Sequence, residues 1–377
     1  MSGNSGGNVS RNPNMGRLLK VLLREGEPDR VPFYEHFVDN EVIEALTGKP
    51  VSKALAEEGL RSEKYLETLV DFYSRLGYDY VPMEVSPKLP RTNLLQTRDI
   101  AYLSRGKRTW EDENRGVIET IEDFEKYPWP NPEEALDFSV FERLRRKLPE
   151  GMGIVGGVAG GFFEHVSWLM GLGKLCRAVH LDRKLVEKMF SKIASLILAL
   201  DERIVKEGYV DALRMGDDLG YKTGTFLSPR ILREYVFPNY RRLADLAHSK
   251  GLPFIIHSCG NLYTPDETGR TVMDDLVDSV GIDAKHSFED NIMPVYEVKE
   301  KYGNEIAVLG GVDMNKLVQL PEKSLREHVR LIIRRCAPGG AYALGSGNTV
   351  ANYVPLENYL AMLDEGFRSG TYPIRIG

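Results

Sequence analysis

Cysteine is scarce in this chain of 377 residues, which has only Cys176, Cys259 and Cys336. Three widely spaced cysteines cannot build a disulfide framework. Long apolar runs are missing too, and none reaches the ~18 residues that a membrane-spanning helix needs. Basic residues are not in excess: the net charge is −6, which argues against nucleic acid or an anionic membrane as the main partner. The glycine cluster at 156–161 lacks the spacing and the trailing Lys-Ser/Thr of a phosphate loop. Residues 1–14, MSGNSGGNVSRNPN, contain neither an apolar core nor a cleavage pattern, so a disordered tail is expected rather than a signal peptide. The expected setting is the cytoplasm.

What is present is an ordinary globular composition, 42% apolar and 28% charged, with no second regime along the chain. Short apolar runs alternate with helical patterns. Strands are expected at Val31–Tyr34, Tyr78–Met83, Gly153–Val155, Asp211–Met215, Pro253–Ile256, Asp283–His286, Ile306–Leu309 and Ala341–Leu344. Eight strands with helices between them predict an α/β fold, a single (β/α)8 TIM barrel over residues 15–377. A long insertion at about 86–150 follows the second strand. Its polar, turn-rich stretch from Gly106 to Thr120 predicts a hairpin lid over the barrel mouth. Ser228-Pro229 opens a helix that Pro238 should kink.

Polar side chains collect where these strands stop: Glu35, His36, Glu84, Asp217, Asp218, His257, Cys259, His286, Asp313 and Asn348. In barrels of this kind that rim carries the active site. The sharpest signal is Pro253-Phe-Ile-Ile-His257-Ser-Cys259-Gly-Asn261. His and Cys bind zinc well, and alternate residues of an extended chain face the same way, so both donors can meet one ion. The two could also be buried neighbours with no ligand, since free Cys is among the most buried residue types. His257, Cys259 and one of Asp217 or Asp218 take the functional reading. His286 is read as a satisfied core histidine, Asp313 as a helix cap, and Cys176 and Cys336 as packing residues.

Several motifs together resemble the uroporphyrinogen decarboxylase superfamily. They are Glu27-Pro-Asp-Arg-Val-Pro32, the Asp217-Asp218 strand end, Ser228-Pro-Arg230 with Tyr235-Val-Phe-Pro238, His257-Ser-Cys259-Gly-Asn261, and Pro355-Leu-Glu-Asn358. The resemblance runs from about Met15 to the C-terminus and implies a β/α barrel of one of two kinds. One kind decarboxylates uroporphyrinogen without a cofactor. The other transfers methyl groups with zinc and a corrinoid carried on a separate protein. Porphyrin decarboxylases resemble one another in an Arg-x-Ala-Gly-Arg stretch after the first strand, suited to bidentate pairing with carboxylates. Here that place reads Glu35-His36-Phe-Val-Asp39. Their Phe-Ser-Asp and Leu-Gly-His-Gly stretches are replaced by Met83-Glu84 and Leu344-Gly345-Ser346-Gly347. A polyanionic tetrapyrrole would meet unpaired acids.

The resemblance to the methyltransferase branch implies metal ligands at His257 and Cys259, with Asn348 standing where a second cysteine is usual. Asn is a poorer zinc ligand, and Glu35, His36, Glu84, Asp217 or Asp218 could complete a four-coordinate shell of N, O and S donors. Asp217, Asp218 and Glu84 are the catalytic candidates; Glu35, His36, Asn261 and Asn348 are the substrate-binding candidates. No Asp-x-His-x-x-Gly corrinoid motif occurs in the chain, so a corrinoid would ride on a partner protein. The expected partners are therefore a small methyl donor or acceptor and that corrinoid protein, with a homodimer allowed. Two alternatives stay open: a carboxy-lyase acting on a small acidic substrate, and a barrel that binds a ligand without catalysis.

Overall fold

The computed structural model describes residues 11–375, apart from positions 105 and 113. The first ten residues of the expected tail lie outside the described residues. Those just after them lie against the fold: the Asn14 backbone N–H donates to Asp79 (2.9 Å) and Arg11 covers the Phe367 ring.

Seven parallel strands form one sheet in chain order: β1 (Tyr80–Val85), β2 (Gly153–Val158), β3 (Ala212–Gly216), β4 (Phe254–His257), β5 (Ala284–His286), β6 (Ala307–Leu309) and β7 (Tyr342–Ala343). Helices link successive strands, and that is why every neighbouring pair is parallel. The strands are apolar on both faces, as a parallel sheet covered by helices requires. Val81, Ile154, Val155, Leu213, Ile255, Ile256 and Val308 are all fully buried.

The expected first strand is reduced to a short patch. Tyr34 N–H donates to the Leu344 carbonyl (2.8 Å), and Leu344 N–H donates to Pro32 (2.9 Å). Pro32 has no N–H to continue the ladder. On its other side this segment meets β1 through a side chain: the Tyr80 hydroxyl contacts both the N–H and the carbonyl of Glu35 (3.0 and 2.6 Å). The whole is an α/β protein with a curled seven-stranded parallel sheet, consistent with a TIM-like fold.

The glycine cluster is a packing device. A Cβ on Gly156 would stand 1.7 Å from the Met83 carbonyl oxygen, and one on Gly161 2.1 Å from Asp217 Cγ. Only a bare backbone lets β2 and the following turn come so close.

After β1 the chain forms an antiparallel hairpin, Leu94–Arg98 against Lys107–Glu111. It lies earlier than the polar stretch at 106–120 suggested, because its first strand already ends at Arg98. Arg108 donates to Asp39 (3.0 Å) and Asn352 (2.9 Å), Asn352 donates to Asp99 (2.7 Å), and Leu103 N–H donates to the Asn352 carbonyl. Asp39 and Asn352 both follow C-terminal strand ends. The later part of the insertion includes the helix Ser139–Arg145, which packs beside the helix before β1. Pro229–Tyr235 and Phe237–His248 are two helices broken at Val236, so the expected Pro238 kink is a full interruption.

Candidate metal centre

Asp217 and Asp218 leave the end of β3 in opposite directions. Asp217 is fully buried and accepts from Phe163 N–H (2.9 Å), Glu164 N–H (2.8 Å) and the Tyr240 hydroxyl (2.6 Å). It thus supplies the acceptor for the orphan N–H groups that open the helix Phe162–Met170. Burial pushes its carboxyl up to about 7. Asp218 points the other way and is part-exposed. Its Oδ1 accepts the Cys259 N–H (2.8 Å) and lies 3.7 Å from His257 Nε2.

That contact brings Asp218, His257 and Cys259 together, with one donor atom of each within 4.8 Å of the others. Cys259 Sγ is 3.6 Å from His257 Nε2. Around a tetrahedral zinc with bonds of ~2.0 to 2.3 Å, neighbouring N and S ligands stand roughly 3.5 Å apart. The two edges that meet at His257 Nε2, 3.6 and 3.7 Å, are close to those of such a site, and the third is no longer than 4.8 Å. Its donor set of oxygen, nitrogen and sulfur suits zinc.

Asn348 lies at this cluster, as its place in the sequence predicted. Its Nδ2 donates to Cys259 Sγ (3.2 Å) while its Oδ1 accepts the Thr349 N–H (2.8 Å). It acts on the sulfur as a hydrogen-bond donor. Ser287 places its hydroxyl 3.4 Å from the same sulfur. Burial first, and Asp218 next, push the Cys259 thiol up to about 12. The nearby Lys285 acts in the opposite direction without offsetting burial.

None of the remaining sequence candidates adds a donor atom to the triad. Glu35 is fully buried beneath Ser346, whose backbone N–H (2.8 Å) and hydroxyl reach its two oxygens, and burial lifts its carboxyl to about 8. Glu84 is paired with the buried Arg214 (2.6 Å). His36 stacks on His257, with centroids 3.9 Å apart and planes at 11°, and its Nδ1 has no hydrogen-bond partner among the described residues. Asn261 turns its Oδ1 to the Tyr263 N–H (3.0 Å) in the loop beyond Cys259. Asp313 caps the helix Met314–Gln319 through Asn315 and Lys316, as expected.

His286 is buried as expected, yet its Nδ1 contacts His257 Nδ1 at 2.7 Å. Sequence reasoning missed three charged groups beside the site. Lys285 is buried and hydrogen-bonded to the Ser258 (3.2 Å) and Ser287 (2.5 Å) carbonyls, and burial lowers it to about 8. Arg214 sits inside β3. Glu164 is raised well above the usual range by burial and then by Asp217 and Asp218. The first two carried a signal, a lone cation within an apolar strand, which demands a buried partner. Glu164 carried none.

No helix among the described residues is long and apolar enough to cross a membrane. The fold is similar to that of a methyltransferase from Methanosarcina mazei: TM-score 0.64, 18% identity, covering 93% of this chain and 97% of that one. At that identity the likeness is one of fold. A β-mannanase from the blue mussel Mytilus edulis aligns over 92% of this chain and 94% of its own at 11% identity, with a TM-score of 0.44, too low to bear on function. No curated protein sequence matches the chain. Residues 114–366, more than half of the chain and spanning β2 to β7 with every member of the triad, match the family model described as Uroporphyrinogen decarboxylase (URO-D), and the chain belongs to that family.

Proposed function

We propose that the protein is a methyltransferase of this family, moving a methyl group between a small substrate or thiol and a separate corrinoid protein, with a zinc ion at Asp218, His257 and Cys259. The observation that carries the reading is the meeting of these three donors at the C-terminal ends of β3 and β4. A zinc ion there supplies the positive charge that turns a bound thiol into a thiolate, or polarises the leaving group of a methylated substrate. His257 and Cys259 would hold the ion from one strand end, and Asp218 from its neighbour. The Asn348 amide and the Ser287 hydroxyl direct N–H and O–H groups at the Cys259 sulfur and favour its charged form. Buried walls around His257 keep water from its far side.

We read the fold as an eightfold barrel closed by the 31–35 segment, and the hairpin as its lid. The bonds from Arg108 and Leu103 to Asp39 and Asn352 support a hairpin held over the mouth. A carboxy-lyase has less support. Its best acid–base candidate, Asp217, has both oxygens taken up by the helix start and Tyr240. Arg214, a cation suited to pairing with a carboxylate, is already paired with Glu84.

The test is metal content and methyl transfer. Protein purified without chelator or added metal should carry close to one zinc per chain, and Cys259→Ala should lose it without unfolding. Given methylcobalamin and a small alkyl thiol, the zinc-loaded protein should form the thioether. Unchanged metal in Cys259→Ala, or no transfer by fully loaded protein, would refute the reading.

A further inference from the structure

We propose that His286 is a positioning residue that sets the tautomer of His257, so that His257 presents a bare Nε2 to Asp218 and Cys259. The inference rests on the proposal that this cluster holds a divalent cation, but the tautomer can be read without one.

The proton positions follow from one acceptor. His286 Nε2 lies 3.1 Å from the carbonyl oxygen of Ser346. A carbonyl only accepts, so His286 carries its proton on Nε2. Both rings are deeply buried, with the buried cation Lys285 next to His286 in the chain, and such surroundings disfavour a charged imidazole. Each ring is therefore neutral and has a single N–H. His286 Nδ1 is then a lone pair. Its partner at 2.7 Å, His257 Nδ1, must supply the proton between them. That leaves His257 Nε2 unprotonated, and it is the nitrogen facing Cys259 Sγ at 3.6 Å and Asp218 Oδ1 at 3.7 Å.

Without His286 nothing would hold the proton on Nδ1. The Asp218 carboxylate would draw it to Nε2, and His257 would become a donor to Asp218 instead of a ligand. The surroundings keep the chain of bonds in register. His36 lies flat on the His257 ring and blocks its rotation. Ser346 is anchored from behind, its N–H on Glu35 (2.8 Å). Gly310, at φ +86°, leaves room for the link. A Cβ there would stand 2.3 Å from the Ser346 carbonyl oxygen and 2.9 Å from His286 Nε2.

Two measurements test the proposal. In metal-free protein labelled with ¹⁵N-histidine, long-range ¹H–¹⁵N correlation should show His257 protonated at Nδ1 and His286 at Nε2. A proton on His257 Nε2 would overturn the proposal whether or not the protein ever binds zinc. Zn²⁺ affinity, measured by competition with a chromophoric chelator, should fall about 10- to 100-fold in His286→Phe, the range seen when the partner of a ligating histidine is removed. His286→Asn, whose Oδ1 can accept in place of Nδ1, should recover most of that loss. Equal affinity in His286→Phe and wild type would overturn it, as would a His286→Asn no better than His286→Phe. If the Phe variant fails to fold, the wild-type tautomer still decides. Wild type with the expected tautomers but no zinc affinity would defeat the metal reading alone.

Discussion

Glu35 should hold its proton at neutral pH, and the consequence can be measured as stability. Its carboxyl is fully buried, and burial lifts it from an ordinary 4.5 to about 8. The hydrogen bonds agree. Ser346 Oγ has one proton and two oxygens in reach, Glu35 and the Asn348 carbonyl at 2.6 Å. The carbonyl can only accept, so a hydroxyl proton directed there leaves the Glu35 contact to be completed by a protonated carboxyl. Because the folded value is raised, the stabilisation is fully present below pH 4.5. It is lost as pH rises to about 8, while the unfolded carboxyl ionises and the folded one does not. The loss is at most about 1.4 kcal/mol per pH unit, on the order of 4 kcal/mol across the window. Glu35→Gln keeps the shape and is neutral throughout, so it should gain on the wild type by several kcal/mol between pH 5 and 8. Asp201 and Asp217, raised to about 8 and about 7, titrate alike in both proteins, and the difference isolates Glu35. Urea unfolding at pH 5, 6, 7 and 8 in the presence of chelator measures it. A difference constant to within about 0.5 kcal/mol would mean that Glu35 is already ionised in the folded protein.

Two further outcomes follow from the strand ends. Asp217→Ala strands two backbone N–H groups at a helix start and a buried Tyr240 hydroxyl, and should cost about 3 to 5 kcal/mol by chemical denaturation; a loss below about 1 kcal/mol would contradict its capping role. Asn348→Cys replaces an N–H donor to the Cys259 sulfur by a fourth donor atom, and should raise zinc affinity in chelator competition while leaving the fold intact.

The order of the sheet was legible because its strands are short apolar runs that stop at polar residues, a pattern burial on both faces imposes. All seven sheet strands begin within about two residues of where the pattern put them, and end within about three. The 31–34 segment was read as an equal eighth strand, but Pro32 cannot donate and the pairing shrinks to a patch. His257, Cys259 and Asn348 were legible as a cluster, through alternation along one strand and position in the family pattern. Which of the adjacent aspartates joins them was not. Their identities are the same, and only the turn after β3 decides that one meets a helix start and the other a neighbouring strand. Glu35 and Glu84 read as open rim acids, yet each found a buried partner, Ser346 and Arg214, far away in sequence. The hairpin was placed too late, because polarity marks where a chain is wet and not where it turns.

The site then depends less on the number of its ligands than on how each one is held. Asp218 Oδ1 is tied to the Cys259 backbone, Cys259 Sγ to Asn348 and Ser287, and His257 Nδ1 to His286. Ordering a free side chain costs up to about 2 kcal/mol, and here that cost is met on folding, before any ligand arrives. Asn348 in place of a second thiolate removes one strong donor, but its N–H favours the charged form of the remaining sulfur. On the proposed reading, a site so pre-ordered would bind zinc through three protein ligands and keep one coordination position for a substrate, the arrangement that distinguishes catalytic zinc from structural zinc.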